Sequence, residues 1–172
     1  MKVIGIGLPK TGTTSLKQAF ISLGLKFGGI HTLFDKSYEA HCGDSFCLPK
    51  DKYKTMDLDF PGAKFILTLR KDVDTWYDSI CRWSVRFKGD QGLLAQRKRM
   101  YGSEMPDTSF KGQYMDHWYE VVEYFQNVYG LEAKDKLLVV SFDGGDGWKE
   151  ICEFLDIPVP TVRFPHKNRN KK

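Results

Sequence analysis

A glycine-containing segment between an apolar run and an amphipathic run constrains the fold of this chain more than any other feature. Residues 2–7 (KVIGIG) are short, β-branched and bounded by glycine, which predicts a buried strand. Residues 13–23 carry apolar side chains at helical spacing and predict a helix. The segment GLPKTGTTSL therefore joins a strand to a helix. Backbone N–H groups and the positive end of a helix dipole converge at such a junction, which predicts a site for a phosphate or a similar anion.

The same order of strand and helix occurs twice more along the chain. Residues 64–70 (KFILTLR) predict a buried strand that is followed by a helix over 72–87. Residues 136–142 (KLLVVSF) predict a third strand, with a helix over 148–155 after a glycine-rich turn. Three such units predict an α/β fold, a three-layer sandwich with a central parallel sheet.

The rest of the chain contains one more clear element and two stretches without a clear period. A long helix is predicted over 109–129, and most of its aromatic side chains should be in the core, because aromatic residues at helical spacing usually pack. Residues 28–50 and 88–108 show no readable pattern. No internal repeat or domain boundary is evident, so we expect one domain over 1–172 with a basic tail at about 163–172.

Composition and charge argue against several classes of protein. Hydrophobic residues make up 41% of the 172 residues, enough for a packed core. No apolar run approaches the roughly 20 residues of a membrane-spanning helix, and no signal peptide is evident, so we expect a cytoplasmic protein without a membrane span. The net charge of +4 arises in residues 163–172, because the preceding residues hold 21 basic and 22 acidic side chains. This distribution does not indicate nucleic-acid binding. The four cysteines form no C-x-x-C pair, and we expect no metal site.

The positions of glycine, lysine and hydroxyl residues in this loop can be compared with those of the G-x-x-x-x-G-K-[ST] loop of enzymes that use nucleoside triphosphates. Gly7 and Gly12 have the required spacing, and Thr14 occupies the hydroxyl position. Thr13, however, stands in the lysine position, and the positive charge lies on Lys10. Because that lysine and Mg²⁺ together neutralise the terminal phosphates, its displacement argues against ordinary ATP or GTP chemistry.

Three segments resemble the sulfotransferases that use 3′-phosphoadenosine 5′-phosphosulfate (PAPS) as donor. LPKTGTTSL resembles their 5′-phosphosulfate loop, and PGAKFILTLR with the helix after it resembles their 3′-phosphate segment. GDGWKEICEFLDIPVP and FPHKN are similar to the C-terminal part of the small soluble members. The resemblance implies the P-loop NTPase-like sulfotransferase fold, PAPS as donor and 3′,5′-adenosine diphosphate as product.

The resemblance also implies roles for the loop residues. Lys10 would contact the oxygen that bridges phosphorus and sulfur and stabilise charge on the leaving phosphate. The rest of the loop would surround the 5′-phosphate with N–H and hydroxyl donors. A sulfuryl group in transfer carries less negative charge than a phosphoryl group, so amides and a lysine can replace a metal ion, and we expect no Mg²⁺ requirement. The loop residues that would bind the donor are Pro9, Lys10, Thr11, Gly12, Thr13, Thr14 and Ser15.

In this family the 3′-phosphate is held by an arginine at a strand end and a serine on the next helix, usually eight residues apart. Arg70 and Ser79 are nine residues apart, whereas Lys71 and Ser79 are eight apart. We favour Arg70, because a guanidinium binds phosphate with two hydrogen bonds and an ammonium does not, and Lys71 stays open as the alternative. By resemblance, Arg163 and Lys167 in the basic tail would cover the same phosphate.

Attack on sulfur requires a general base that takes the proton of the acceptor. His31 is the first candidate, because it follows a short predicted strand at 25–27 whose end would face the loop, and histidine titrates near neutrality. Asp44 is the second, since GDSFCLP resembles a stretch of related small sulfotransferases in which an aspartate precedes a helix near the site. His41 and Glu39 are weaker candidates.

The acceptor is expected to be a small molecule or a glycan, and the sequence does not identify it further. Residues 82–99 combine six basic side chains with Trp83 and Phe87 and contain one acidic residue, Asp90. Such a basic and aromatic surface suits an anionic or glycan acceptor, but a solvated helix face has the same composition.

Two other functions stay open. A small kinase or nucleotide hydrolase with a degenerate loop would use Asp143, after the third strand, to hold Mg²⁺. The missing lysine at the usual loop position counts against this alternative. A non-catalytic nucleotide-binding module would keep the anion-binding loop and lack the base.

Overall fold

A sheet of five parallel strands forms the centre of the structure, a computed structural model that describes residues 1–43 and 51–166. The strands are β1 (Val3–Gly5), β2 (Phe27–Gly28), β3 (Ala40–Cys42), β4 (Lys64–Thr68) and β5 (Leu137–Val140). Their spatial order is β2-β3-β1-β4-β5, and each adjacent pair is parallel. The predicted α/β fold with a central parallel sheet is therefore confirmed.

The same described residues form seven α-helices and two short 3₁₀ turns, Ile30–Thr32 and Gly130–Glu132. The helices are α1 (Thr13–Ser22), α2 (Lys52–Asp59), α3 (Val73–Arg86), α4 (Gln91–Tyr101), α5 (Ser109–Tyr129), α6 (Ala133–Lys136) and α7 (Trp148–Leu155). Helices α5 and α7 have the predicted bounds. Helix α3 begins one residue later than predicted because Asp72 caps it, accepting a hydrogen bond of 2.6 Å from the backbone N–H of Thr75.

Three elements were not predicted: β3 and α4 lie in the two stretches without a readable pattern, and α2 follows the first of these stretches. Strand β3 has three residues, too few to show alternation. Helices α2 and α4 each bury a charged residue, Asp57 in the first and Arg97 in the second. Apolar periodicity assigns charged residues to the exposed face of a helix, so it does not indicate either helix.

Side chains of the sheet alternate between two cores, one on each face. Val3 and Ile66 pack in the core that α1 and α7 cover, whereas Ile4 and Phe65 pack in the core that includes α3 and α5. Strands buried on both faces are apolar throughout, which is why the central runs of this sequence lack polar alternation. The result is a sheet between two helical layers.

Strand β1 lies at the point where the order of the strands reverses. The chain leaves β1 toward β2 and β3 on one side, and then crosses to β4 and β5 on the other side. In open α/β sheets, ligands bind in the crevice outside the carboxyl ends of the strands at such a point. The loop after β1 therefore occupies the expected position of a ligand site.

Helix α5 contributes much of the aromatic core. Phe110, Tyr114 and Phe125 are buried, as predicted for most of its aromatic residues, whereas Tyr119 is 59% exposed. The helix has 21 residues, but no helix within residues 1–43 and 51–166 is both long and apolar enough to cross a membrane.

A buried carboxylate joins α2 to α5. Asp57 is 3% exposed and accepts hydrogen bonds of 3.0 Å from the hydroxyl of Tyr124 and 2.7 Å from the hydroxyl of Tyr129. Burial, together with the hydrogen bond to Asp57, raises the pKa of Tyr129 to about 12, so the phenol remains a donor near neutral pH. The charge on Asp57 is thus compensated by oriented hydroxyl groups.

We expect Asp57→Ala to lower the free energy of unfolding by about 1–3 kcal/mol, because it leaves two buried hydroxyl groups without their acceptor. Urea denaturation followed by circular dichroism measures the change. Asp59→Ala, at an exposed position of the same helix, should change the value by about 0.5 kcal/mol or less. Equal effects of the two substitutions would show that the Asp57 hydrogen bonds do not stabilise the contact.

Candidate functional site

The β1–α1 loop, residues 6–12, contains two residues in the left-handed backbone conformation. Lys10 has a φ of 72° and Gly12 a φ of 110°. Glycine adopts this conformation without cost, but for other residues it costs roughly 1–2 kcal/mol. The conformation of Lys10 must therefore be held by its surroundings.

A hydrogen-bonded threonine holds the inside of the loop. Thr11 is 1% exposed, and its hydroxyl donates to the carbonyl of Leu8 at 2.6 Å. The same hydroxyl oxygen lies 2.7 Å from that of Thr68 at the end of β4. Because the single proton of Thr11 goes to a carbonyl, Thr68 donates to Thr11. Thr11, predicted as a donor to the 5′-phosphate, has both its hydroxyl and its N–H bonded inside the loop.

A tryptophan holds the outside of the loop. Trp76 of α3 is completely buried, and its Nε1 donates to the carbonyl of Pro9 at 2.9 Å. Its indole stacks on Tyr114 with the ring centroids 4.6 Å apart. Pro9 and Lys10 are thereby held against α3 and α5.

Two glycines of the loop leave no room for a side chain. A Cβ at Gly7 would collide with the Thr68 hydroxyl oxygen and lie 2.7 Å from that of Thr11. A Cβ at Gly12 would lie 2.9 Å from the ring of Phe142, the residue that follows β5 by two positions. The spacing of these two glycines therefore has a steric cause.

The start of α1 presents unused hydrogen-bond donors. Gly12 occupies the N-cap position and supplies no side-chain acceptor. In the part of the chain that the structure describes, the N–H groups of Gly12, Thr13 and Thr14 have no hydrogen-bond acceptor. Thr13 and Thr14 are also accessible, whereas Ser15 is 4% exposed. Free amides at a helix start fit an anionic group such as the 5′-phosphate of a nucleotide.

Lys10 precedes these amides in the same loop. Its side chain is half-buried, and its Nζ is 5.9 Å from the centre of the Trp83 ring of α3. The indole face attracts the ammonium and restricts its position.

Arg70 follows β4 at the same edge of the sheet. Its guanidinium Nε lies 2.9 Å from the carboxylate of Asp143, and its backbone N–H donates to the hydroxyl of Tyr114 at 2.9 Å. Burial raises the pKa of Tyr114 to about 12, so that hydroxyl keeps its proton. Lys71 is exposed, and only its backbone N–H reaches Asp143, at 3.1 Å. The structure thus orients Arg70 more firmly than Lys71.

Two other residues predicted to bind the 3′-phosphate lie on α3 and in the C-terminal segment. Ser79 is partly exposed on α3, one turn after Trp76. Arg163 is exposed and precedes Phe164, whose ring is 4.8 Å from that of Phe142, the ring that adjoins Gly12. The C-terminal segment therefore lies beside the β1–α1 loop. Lys167 lies outside the described residues.

Three of the four candidate bases lie within the described residues. His31 is exposed in the 3₁₀ turn that follows β2, two strands away from β1. Asp44 lies outside the described residues. His41 is buried in β3, where burial lowers its pKa, and Glu39 accepts a hydrogen bond of 3.1 Å from the N–H of Lys26. The identity of the base stays a prediction.

A buried histidine that no local sequence pattern marks supports the first residue of the β1–α1 loop. His117 of α5 is 1% exposed, and its Nε2 lies 3.0 Å from the carbonyl of Ile6. A carbonyl only accepts, so Nε2 carries the proton.

No group of three or more His, Cys, Asp or Glu side chains with the geometry of a metal site occurs among residues 1–43 and 51–166.

The comparison with known proteins agrees with this arrangement. The family described as "Sulfotransferase domain" matches the chain over residues 2–55 and 46–172. The chain belongs to this sulfotransferase family. It is also 28% identical, over 214 aligned positions, to the Ava biosynthesis cluster protein M of Aspergillus versicolor. That alignment covers 96% of this chain and 80% of the relative.

Membership in the sulfotransferase family confirms the resemblance and supports a sulfotransferase activity in general terms. The residues that shape the loop of this sulfotransferase were mostly not identified from sequence. Thr68, Tyr114 and His117 act over long distances in the chain, and no local pattern marks them. Trp76 lies in the helix of the segment that resembles the 3′-phosphate segment, but no local pattern indicates its bond to Pro9.

We expect Gly7→Ala to lower the free energy of unfolding by about 1–3 kcal/mol, because the methyl group would displace the Thr11–Thr68 pair. Chemical denaturation monitored by tryptophan fluorescence measures it. Gly112→Ala, in an exposed helical position with open space around it, should instead raise the value by about 0.5–1 kcal/mol. An unchanged stability of Gly7→Ala would contradict the steric account.

Proposed function

We propose that this protein transfers the sulfuryl group of PAPS to a hydroxyl or amine of a small-molecule or glycan acceptor. One observation carries the proposal within the family assignment. Free backbone donors at the start of α1 lie next to a lysine that is displaced from the triphosphate position and held in a left-handed conformation. This arrangement suits a bound phosphosulfate better than a Mg²⁺-bound triphosphate.

The residues of the loop divide into two kinds. Gly12, Thr13 and Thr14 bind the 5′-phosphate through their backbone N–H groups, and the side chains of Thr14 and Ser15 add hydroxyl groups. Thr11 shapes the loop instead, since its own donors are used internally. Pro9 takes part by directing the chain at Lys10, because its carbonyl is bonded to Trp76.

The groups after β4 bind the 3′-phosphate. Arg70 uses its Nε for Asp143, which leaves the two terminal nitrogens of the guanidinium for the phosphate. Ser79 adds a hydroxyl, and Arg163 with Lys167 covers the phosphate from the C-terminal side. Because Asp143 accepts hydrogen bonds from this region, it is poorly suited to hold Mg²⁺ as the kinase alternative requires.

Lys10 is the catalytic cation in this proposal. PAPS supplies a sulfuryl group whose bond to a phosphate oxygen breaks as the acceptor oxygen or nitrogen bonds to sulfur. The ammonium of Lys10 stabilises the negative charge that develops on that phosphate oxygen. His31 or Asp44 takes the acceptor proton. A fixed cation that contacts a developing charge lowers the barrier more than it strengthens ground-state binding.

We expect calorimetry to detect binding of 3′,5′-adenosine diphosphate in the presence of a chelator. Arg70→Ala should raise the dissociation constant about 10- to 100-fold, because a charge-assisted contact to phosphate is lost. Lys71→Ala, at the adjacent exposed position, should raise it less than about threefold. Binding of ATP that requires Mg²⁺, with no binding of the bisphosphate, would favour the kinase alternative instead.

We expect Lys10→Met to reduce kcat about 100- to 1000-fold with labelled PAPS and a panel of phenols, sugars and lipids. The dissociation constant for 3′,5′-adenosine diphosphate should change far less, since the main contact strengthens in the transition state. Methionine keeps the apolar stem that lies near Trp83. Lys17→Met, on the exposed side of α1, is the control. Equal losses in binding and turnover would make Lys10 a binding residue, and failure of every acceptor with the native protein would favour a non-catalytic module.

A further inference from the structure

Helix α4 contains a buried guanidinium that the proposed transfer does not use. Arg97 is 1% exposed, and its Nε donates to the carbonyl of Glu104 at 2.8 Å. Its two terminal nitrogens, Nη1 and Nη2, are closed off from solvent and form no hydrogen bond within residues 1–43 and 51–166. Two of the three donor nitrogens of this side chain are therefore unsatisfied.

The charge of Arg97 is not compensated in the described structure. Burial lowers the pKa of Arg97, and the carboxylates of Asp90 and Glu104 oppose that shift only from a distance. Asp90 uses its carboxylate to cap α4, where it accepts a hydrogen bond of 3.0 Å from the N–H of Leu93. A buried charge without a hydrogen-bonded partner is costly, so an anion that reached Arg97 would be bound strongly.

The indole of Trp83 connects Arg97 with the proposed transfer site. The central carbon of the guanidinium lies 5.1 Å from the centre of the Trp83 ring, and the ammonium of Lys10 lies 5.9 Å from the same centre. Arg97 and Lys10 thus contact the same indole ring. Arg70, by contrast, is paired with Asp143 after β5.

We infer that Arg97 binds the acceptor through a carboxylate that the acceptor carries in addition to the hydroxyl or amine to be sulfated. This inference rests on the proposed sulfotransferase function and narrows its substrate class to hydroxy or amino acids. A carboxylate is planar, carries one negative charge and offers two oxygens to the two Nη groups. Trp83 is only partly buried, and its side chain must turn to admit the acid.

The experiment compares acids with their uncharged esters. 4-Hydroxyphenylacetate, 4-hydroxybenzoate and glucuronate, each beside its methyl ester, are assayed with labelled PAPS and titrated by calorimetry into the protein saturated with 3′,5′-adenosine diphosphate. The native protein should prefer at least one acid to its ester. Arg97→Met should reduce kcat/KM and affinity for that acid about 10- to 100-fold and affect the ester much less, because a charge-assisted contact is lost.

Two further variants separate recognition from structural effects. Arg97→Lys keeps the charge but lacks the paired nitrogens, so its preference for the acid should be intermediate. Arg99→Met removes an exposed arginine two residues away on the same helix and should leave the preference unchanged. The melting temperature of Arg97→Met should also be no lower than that of the native protein. The substitution removes the hydrogen bond to the carbonyl of Glu104, but it also removes an uncompensated buried charge, and the second effect offsets the first.

The outcomes distinguish this inference from the proposed function. If the native protein does not bind 3′,5′-adenosine diphosphate, the sulfotransferase proposal itself fails. If the bisphosphate binds but acids and esters are bound equally, or if Arg97→Met keeps the full preference for the acid, only the role of Arg97 is overturned. Failure of all three acids to bind the native complex overturns it as well.

Discussion

The short chain of hydrogen bonds that keeps the β1–α1 loop open is the constraint on which the rest of the site depends. Thr68 donates to Thr11, and Thr11 donates to the carbonyl of Leu8, so the loop is supported from within. The indole of Trp76 holds Pro9 from outside. With its polar groups satisfied in this way, the loop keeps the first amides of α1 free, and free amides at a helix start attract an anion.

The positive charges around this loop differ in how far the protein neutralises them, and this difference organises the site. Arg70 is paired with Asp143, which orients it and leaves part of its guanidinium available. Lys10 has its ammonium near the face of the Trp83 ring. Arg97 is the most deeply buried of the three, and its Nη groups have no hydrogen-bond partner among the described residues. A cation that the protein leaves uncompensated favours a negatively charged ligand.

Most of the fold was predictable because strands buried on both faces and amphipathic helices have distinct local patterns. The two helices that were not predicted share one cause. Asp57 and Arg97 lie inside the protein because partners from other elements surround them, two tyrosines in one case and Trp83 with Glu104 in the other. A local pattern contains no information about such partners, so α2 and α4 were missed. His31 follows β2, a strand at the edge of the sheet, and its role as the base stays a prediction.

The sequence by itself determined the order of the elements, the position of the anion-binding loop and its displaced lysine, because glycine spacing and hydrophobic runs act over a few residues. It also predicted the sulfotransferase family that the comparison confirms. Only the tertiary structure decided which donors of the loop are free, that Arg70 is oriented by Asp143, and that Arg97 lies beside Trp83. Each of these depends on groups far apart in the chain that the parallel sheet brings to one edge, and hydrogen bonding and burial are properties of that assembly.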